Sequence, residues 1–90
     1  MKYLLNKDIV MDYIGENLIV SANNGDMIFW GNESLALIFN CIKNKMSHEQ
    51  IVNEMCKKYD VSRDEVERDL IKVYSVCLDN GLIIQQEKGV

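Results

Sequence analysis

Met27-Ile28-Phe29-Trp30 is a run of four apolar residues with no polar side chain on either face. Asn24-Gly25 stands just before it, the strongest short-range signal for a tight hairpin turn. Gly31-Asn32 follows, and from Glu33 onward the apolar residues recur at helical spacing. The run therefore reads as the last strand of a small meander, where the chain changes from sheet to helix. A last strand is a sheet edge unless a later segment pairs with it. Soluble proteins blunt such edges with Lys, Pro or a bulge, and this stretch carries neither Lys nor Pro. Either a later part of the chain covers the edge or a partner does.

Upstream, residues 7–14 alternate, with Ile9, Met11 and Tyr13 on one face and Val10, Asp12 and Ile14 on the other. Gly15-Glu16-Asn17 is a turn. Leu18, Val20 and Ala22 then share one face of a second strand, while Ile19 and Ser21 point the other way. The connections are too short for a crossover helix, so the three strands are antiparallel. Such a meander is barely stable alone and needs a helical layer on one face.

The downstream chain supplies that layer. Asn32 is an N-cap for a helix running to about Lys43, with Leu35, Ile38, Phe39 and Ile42 on one face. Asn44 is suited to end it in the left-handed conformation. Ser47-His48-Glu49-Gln50 is a capping box, opening a second helix that turns Ile51, Met55 and Tyr59 inward. Ser62-Arg63-Asp64-Glu65 is another, opening the longest helix, whose stripe is Val66, Leu70, Val73, Tyr74, Cys77 and Leu78. Val76 flanks that stripe beside Asp69 and Lys72. Gly81 is a natural residue to follow the helix end, and Leu82-Ile83-Ile84 continues as a short extended apolar tail. The expectation is one α+β domain over residues 1–90 in the order βββααα. A broad stripe beside an unblunted edge strand leaves a groove between them.

Composition narrows the function. Of 90 residues, 48% are hydrophobic and the net charge is −4. The long helix sets Arg63, Arg68 and Lys72 against Asp64, Glu65, Glu67, Asp69 and Asp79. That acidic balance disfavours a winged-helix DNA binder, the alternative with a similar element order, which needs Lys and Arg towards phosphates. The three cysteines form no CxxC pair and read as buried, reduced thiols of a cytosolic protein. Cys41, His48, Cys56 and Cys77 match no zinc spacing, so neither metal nor cofactor is expected, nor any catalytic residue. Glu33-Ser34-Leu35 is like the phosphopantetheine site of acyl carrier proteins, but those are all-helical and strands precede it here. No apolar run is long enough to span a membrane. Met1 to Leu5 is too short an apolar segment for a signal peptide, because Asn6-Lys7-Asp8 follows. A further alternative is a scaffold that covers its edge by homodimerisation.

From Gly25 to Ile83 the sequence resembles the PqqD family, the small peptide chaperones of pyrroloquinoline quinone biosynthesis and related pathways, also called RiPP recognition elements. The resemblance rests on the hydrophobic strand, Asn32 capping a helix with Ile38-Phe39, the turn at Asn44, the Ser47 cap, Gln50-Ile51, Met55 and Tyr59, and Leu78, Gly81, Leu82 and Ile83 at the end. Two positions depart from the pattern: Gly31 replaces a leucine before the capping Asn, and Asn44 replaces a turn glycine.

The resemblance implies a winged-helix-like fold that performs no chemistry and binds the leader segment of a ribosomally made precursor peptide. The leader adds as a strand to the third strand and packs against the third helix. The domain then presents it to a modifying enzyme, such as a radical-SAM enzyme or a leader peptidase. By matching elements, the expected peptide-binding residues are Met27, Ile28, Phe29 and Trp30 on the strand and Asp69, Leu70, Lys72, Val73 and Val76 on the helix. Asp69 and Lys72 are suited either to pair with leader charges or to sit in solvent. Trp30 fits a groove or a core equally. The expected state is a cytoplasmic monomer or weak dimer that binds neither nucleic acid nor membrane.

Overall fold

The computed structural model describes residues 2–22 and 25–86, and it opens with a strand that periodicity does not reveal, β1 (Lys2–Leu5). A turn follows in which the Asp8 N–H donates to Asn6 Oδ1 at 3.0 Å, an Asx turn. The next strand, β2 (Val10–Ile14), therefore starts later than the alternation from Lys7 suggests. Then come β3 (Asn17–Ala22) and β4 (Met27–Gly31). These three form an antiparallel sheet in the order β2-β3-β4. The expected Asn24-Gly25 turn falls partly outside the described residues, which omit Asn23 and Asn24. Leu18, Val20 and Ala22 are buried under the helices, and the register sets Phe29 beside Val20 and Gly31 beside Leu18.

The helices are α1 (Glu33–Lys43), α2 (His48–Lys58) and α3 (Arg63–Asp79). Their starts are local chemistry. Asn32 Oδ1 accepts from the Leu35 N–H at 3.1 Å. Ser47 and Gln50 complete both halves of a capping box. Ser62 Oγ accepts from the Glu65 N–H at 3.3 Å, the N-cap half of the second box. Each cap contributes about 1 kcal/mol.

The end of α1 differs from expectation. Asn44 stays right-handed at φ −84, and the left-handed residue is Lys45 at φ 60. The reason is the hydrogen bonding: the Lys45 N–H donates to the Ile42 carbonyl at 2.9 Å and the Met46 N–H to that of Cys41 at 3.1 Å. That is a Schellman turn, which places its left-handed residue after the cap. α3 ends in the same turn, with Gly81 at φ 70 in the equivalent place and bonds from Gly81 to Leu78 and from Leu82 to Cys77.

The apolar tail is also a strand, β5 (Ile83–Gln86), paired antiparallel with β1 from Leu5↔Ile83 to Lys2↔Gln86. The element order is thus βββααα flanked by one strand at each end, and the α+β class holds. The likeness to a winged helix is one of fold. Asn6 ties the small sheet to α3, its backbone N–H donating to the Leu82 carbonyl at 2.9 Å and its Nδ2 to the Gly81 carbonyl at 2.7 Å. The core between sheet and helices centres on Leu18, Phe39, Ile42, Ile51, Val52, Leu70 and Ile83. Of the residues expected to turn inward from α2, Ile51 and Met55 do so. Tyr59, the residue that ends the helix, is half-buried and also packs against the core, its buried hydroxyl without a hydrogen-bond partner among the described residues.

Candidate functional site

The stripe on α3 is wider than the core can take. Val66, Leu70, Tyr74 and Cys77 are buried, Val73 is half-buried and Val76 is 57% exposed. Val73 and Val76 face β4 across a groove of 280 Å³. Phe29 and Trp30 line its sheet side, Lys72, Val73, Val76 and Cys77 its α3 side, with Leu35 and Leu82 completing the lining. Above it runs the edge of β4. β3 pairs with one side of β4, and among the described residues no strand pairs with the other. β5, which follows the helices, pairs with β1 and not with β4.

Five of the nine residues expected from the sequence line this groove: Phe29, Trp30, Lys72, Val73 and Val76. The other four lie elsewhere. Met27 is half-buried against the core at the start of β4, and Ile28 is 61% exposed on the outer face of the sheet, opposite Ser21. Asp69 is exposed on α3. Leu70 is only 1% exposed, so it supports α3 from within the core and offers no surface to a ligand. Conversely, Leu35, Cys77 and Leu82 line the groove without having been singled out. Leu35 and Cys77 lie on helix faces that read as core, and Leu82 read as the start of the apolar tail after Gly81.

The groove is apolar, with one cation at its margin. Burial pushes the Cys77 thiol up to about 11, so at neutral pH it is an uncharged wall. All three cysteines are free. α3 is braced from behind: the Tyr74 hydroxyl lies 3.1 Å from His48 Nδ1, and its ring lies 4.2 Å from that of Tyr3. His48 Nε2 also lies 3.5 Å from the Glu67 carboxylate.

Features that pointed to other chemistry are occupied elsewhere. The Ser34 hydroxyl donates to Asn32 Oδ1 at 2.8 Å as part of the α1 cap. Arg63 on α3 donates to Asn53 Oδ1 at 2.8 Å and pairs with Glu49. Among the described residues no group of three or more His, Cys, Asp or Glu side chains is placed to hold a metal ion, and no helix is long and apolar enough to cross a membrane.

Comparison with known proteins follows the same lines. No curated protein matches the chain. Among solved structures it is similar to TbiB1 in complex with the TbiA(beta) leader peptide, with a TM-score of 0.85, 22% sequence identity, and coverage of 98% of this chain and 100% of that one. At that identity the likeness is one of fold. The family model for coenzyme PQQ synthesis protein D (PqqD) matches residues 16–83. That span holds β3, the open edge of β4, all three helices and the Gly81 turn, and the chain belongs to the PqqD family.

Proposed function

We propose that this protein binds the leader segment of a ribosomally synthesised precursor peptide by strand addition to β4 and presents it to a peptide-modifying enzyme. It acts by holding the peptide and carries out no reaction. The single observation that carries this reading is the outer side of β4, with which no strand among the described residues pairs, running along the apolar groove of α3. Membership of the PqqD family supports it, as does the fold shared with TbiB1, a protein whose structure holds a leader peptide. Backbone hydrogen bonds to the edge contribute about 1 kcal/mol each regardless of sequence. An aliphatic side chain buried in the groove adds about 2 kcal/mol. The backbone therefore supplies a general attraction, and the groove supplies the choice among peptides. Radical-SAM enzymes and leader peptidases are the classes of partner enzyme that fit, acting in the cytoplasm on the peptide that a monomeric or weakly dimeric chaperone presents.

The test is an NMR titration of isotope-labelled protein with peptides encoded by short reading frames beside its gene. Shifts concentrated in residues 27–31 and 72–77, and absent with a scrambled peptide, are expected. Val76→Asp should then weaken binding about 100-fold, because its carboxylate is hydrated in the free protein and must be desolvated under the peptide. A protein that answers none of the peptides and runs as a dimer would point instead to a self-paired scaffold. A response to duplex DNA would overturn both readings.

A further inference from the structure

Gly31 ends β4 on the face turned towards the helices, opposite Leu18. The space a side chain would take there is filled by Leu35: a Cβ on Gly31 would lie 2.9 Å from Leu35 Cβ and closer still to its Cδ2. Leu35 is held in that place by the α1 cap, its N–H donating to Asn32 Oδ1 at 3.1 Å. A glycine on the strand and a capped leucine on the helix thus form a single wedge.

The wedge stands between two chambers. One is the 280 Å³ apolar space beside Phe29, Val76 and Leu82. The other, of 500 Å³, lies over Gly31 and Ile38 and is edged by the polar cap residues Asn32 and Ser34. Leu35 lines both, together with Trp30 and Val73.

We propose that Leu35, seated against Gly31, determines which side chains the groove accepts. It closes one end of an apolar chamber for a single bulky aliphatic or aromatic side chain. It also separates that chamber from a half-polar one that takes a polar side chain. The inference rests on strand addition to β4. Phe29 and Gly31 are two residues apart on one face, and a strand paired with β4 repeats that period. The two bound side chains are therefore two residues apart in the peptide. In antiparallel addition, the slightly more stable pairing, the residue beside Gly31 precedes the one beside Phe29. The peptide class is a strand of the form polar-any-bulky apolar.

The experiment is selection of a displayed library of random peptides, about ten residues long to span the edge strand, on wild type, Leu35→Ala, Gly31→Ala and the double variant. Each protein is first checked for folding by circular dichroism. Wild type should enrich a polar residue two before a bulky apolar one. Leu35→Ala opens the apolar chamber and should shift the choice there from Leu towards Trp by about tenfold. Gly31→Ala displaces Leu35 into the chamber and should shift the choice towards Val and Ala, an effect that vanishes in the double variant. If Leu35→Ala does not fold, Leu35→Val carries the same expectation in smaller measure. Selection of the same side chains by wild type and the folded Leu35 variant, from peptides whose NMR shifts map to β4, would overturn the role of Leu35 and leave peptide capture standing. Enrichment of no peptide by wild type would overturn both.

Discussion

The two sheets are both small and antiparallel, yet their edges end differently. β1 and β5 come from opposite ends of the chain and close on each other. Tyr3 stacks on Tyr74, Asn6 bonds to the carbonyls of Gly81 and Leu82, and Lys2 makes a bridge to Ser47 on the far side of β1. β4 is longer and more apolar, and among the described residues no strand pairs with its outer side, which runs beside α3. Where β1 and β5 pair, Tyr3 and Ile83 are buried in the core, while Ile84 stays exposed on the other face. At β4, Trp30 is 68% exposed and Val76 stands beside it half in water. An exposed apolar edge is an aggregation hazard; here it coincides with the groove of the site. Both sheets feed the core, through Tyr3 and Ile83 in one and Leu18 and Val20 in the other, but only the second borders the groove.

The most severe way to break that comparison is Tyr3→Ala. Removing a buried ring from the Tyr74 stack should cost about 3 kcal/mol in urea unfolding and loosen β1 from β5. Peptide affinity measured while the protein is still folded should change little, since neither Tyr3 nor β1 lines the groove. A matching loss of affinity would mean that the two sheets act as one unit.

Alkaline pH should attack the core that both sheets share. Burial raises the Cys77 thiol from 9.0 to about 11 and also raises Cys41, Tyr3 and Tyr74. Between about pH 9 and 11 the unfolded chain loses the Cys77 proton while the native protein keeps it. Stability is therefore intact below that window and falls through it, by up to about 1.4 kcal/mol per pH unit for this thiol. Unfolding curves across the window should show the decline, and Cys77→Ala should flatten part of it. A profile without slope would mean that the thiol reaches water through the groove.

Trp30→Ala is the converse of the Tyr3 change. It should weaken peptide binding about tenfold and move the unfolding midpoint hardly at all, because the ring is mostly in solvent. The smallest effect is expected at Lys45, whose left-handed backbone a non-glycine residue adopts at a cost. Lys45→Gly should stabilise the protein by about 1 kcal/mol in thermal unfolding, firming the turn that delivers Ser47 to β1 and leaving the open edge of β4 as it was.

The parts legible in the sequence are those whose chemistry is local. Asn32, Ser47 and Ser62 mark the helix starts because a cap joins residues three apart. Leu18, Val20 and Ala22 mark a buried strand face because a pleat repeats every second residue. The apolar last strand at Met27 to Trp30 was legible too, since no Lys or Pro interrupts it. The register of the turn after α1 was not, because Asn44 and Lys45 both permit an ending and the bonds to Ile42 and Cys41 choose between them. Leu70 and Val73 belong to one stripe, and only packing against the core sends the first inside and leaves the second in the groove.

By itself, then, the sequence determined a meander followed by three capped helices, and an edge that something had to cover. Only the tertiary structure decided that the terminal strands cover each other instead, because pairing Lys2 with Gln86 is a long-range contact that neither segment announces. It also decided that Leu35 fills the space before Gly31. A missing side chain shows in a sequence, but the neighbour that occupies its volume is chosen by how α1 meets β4.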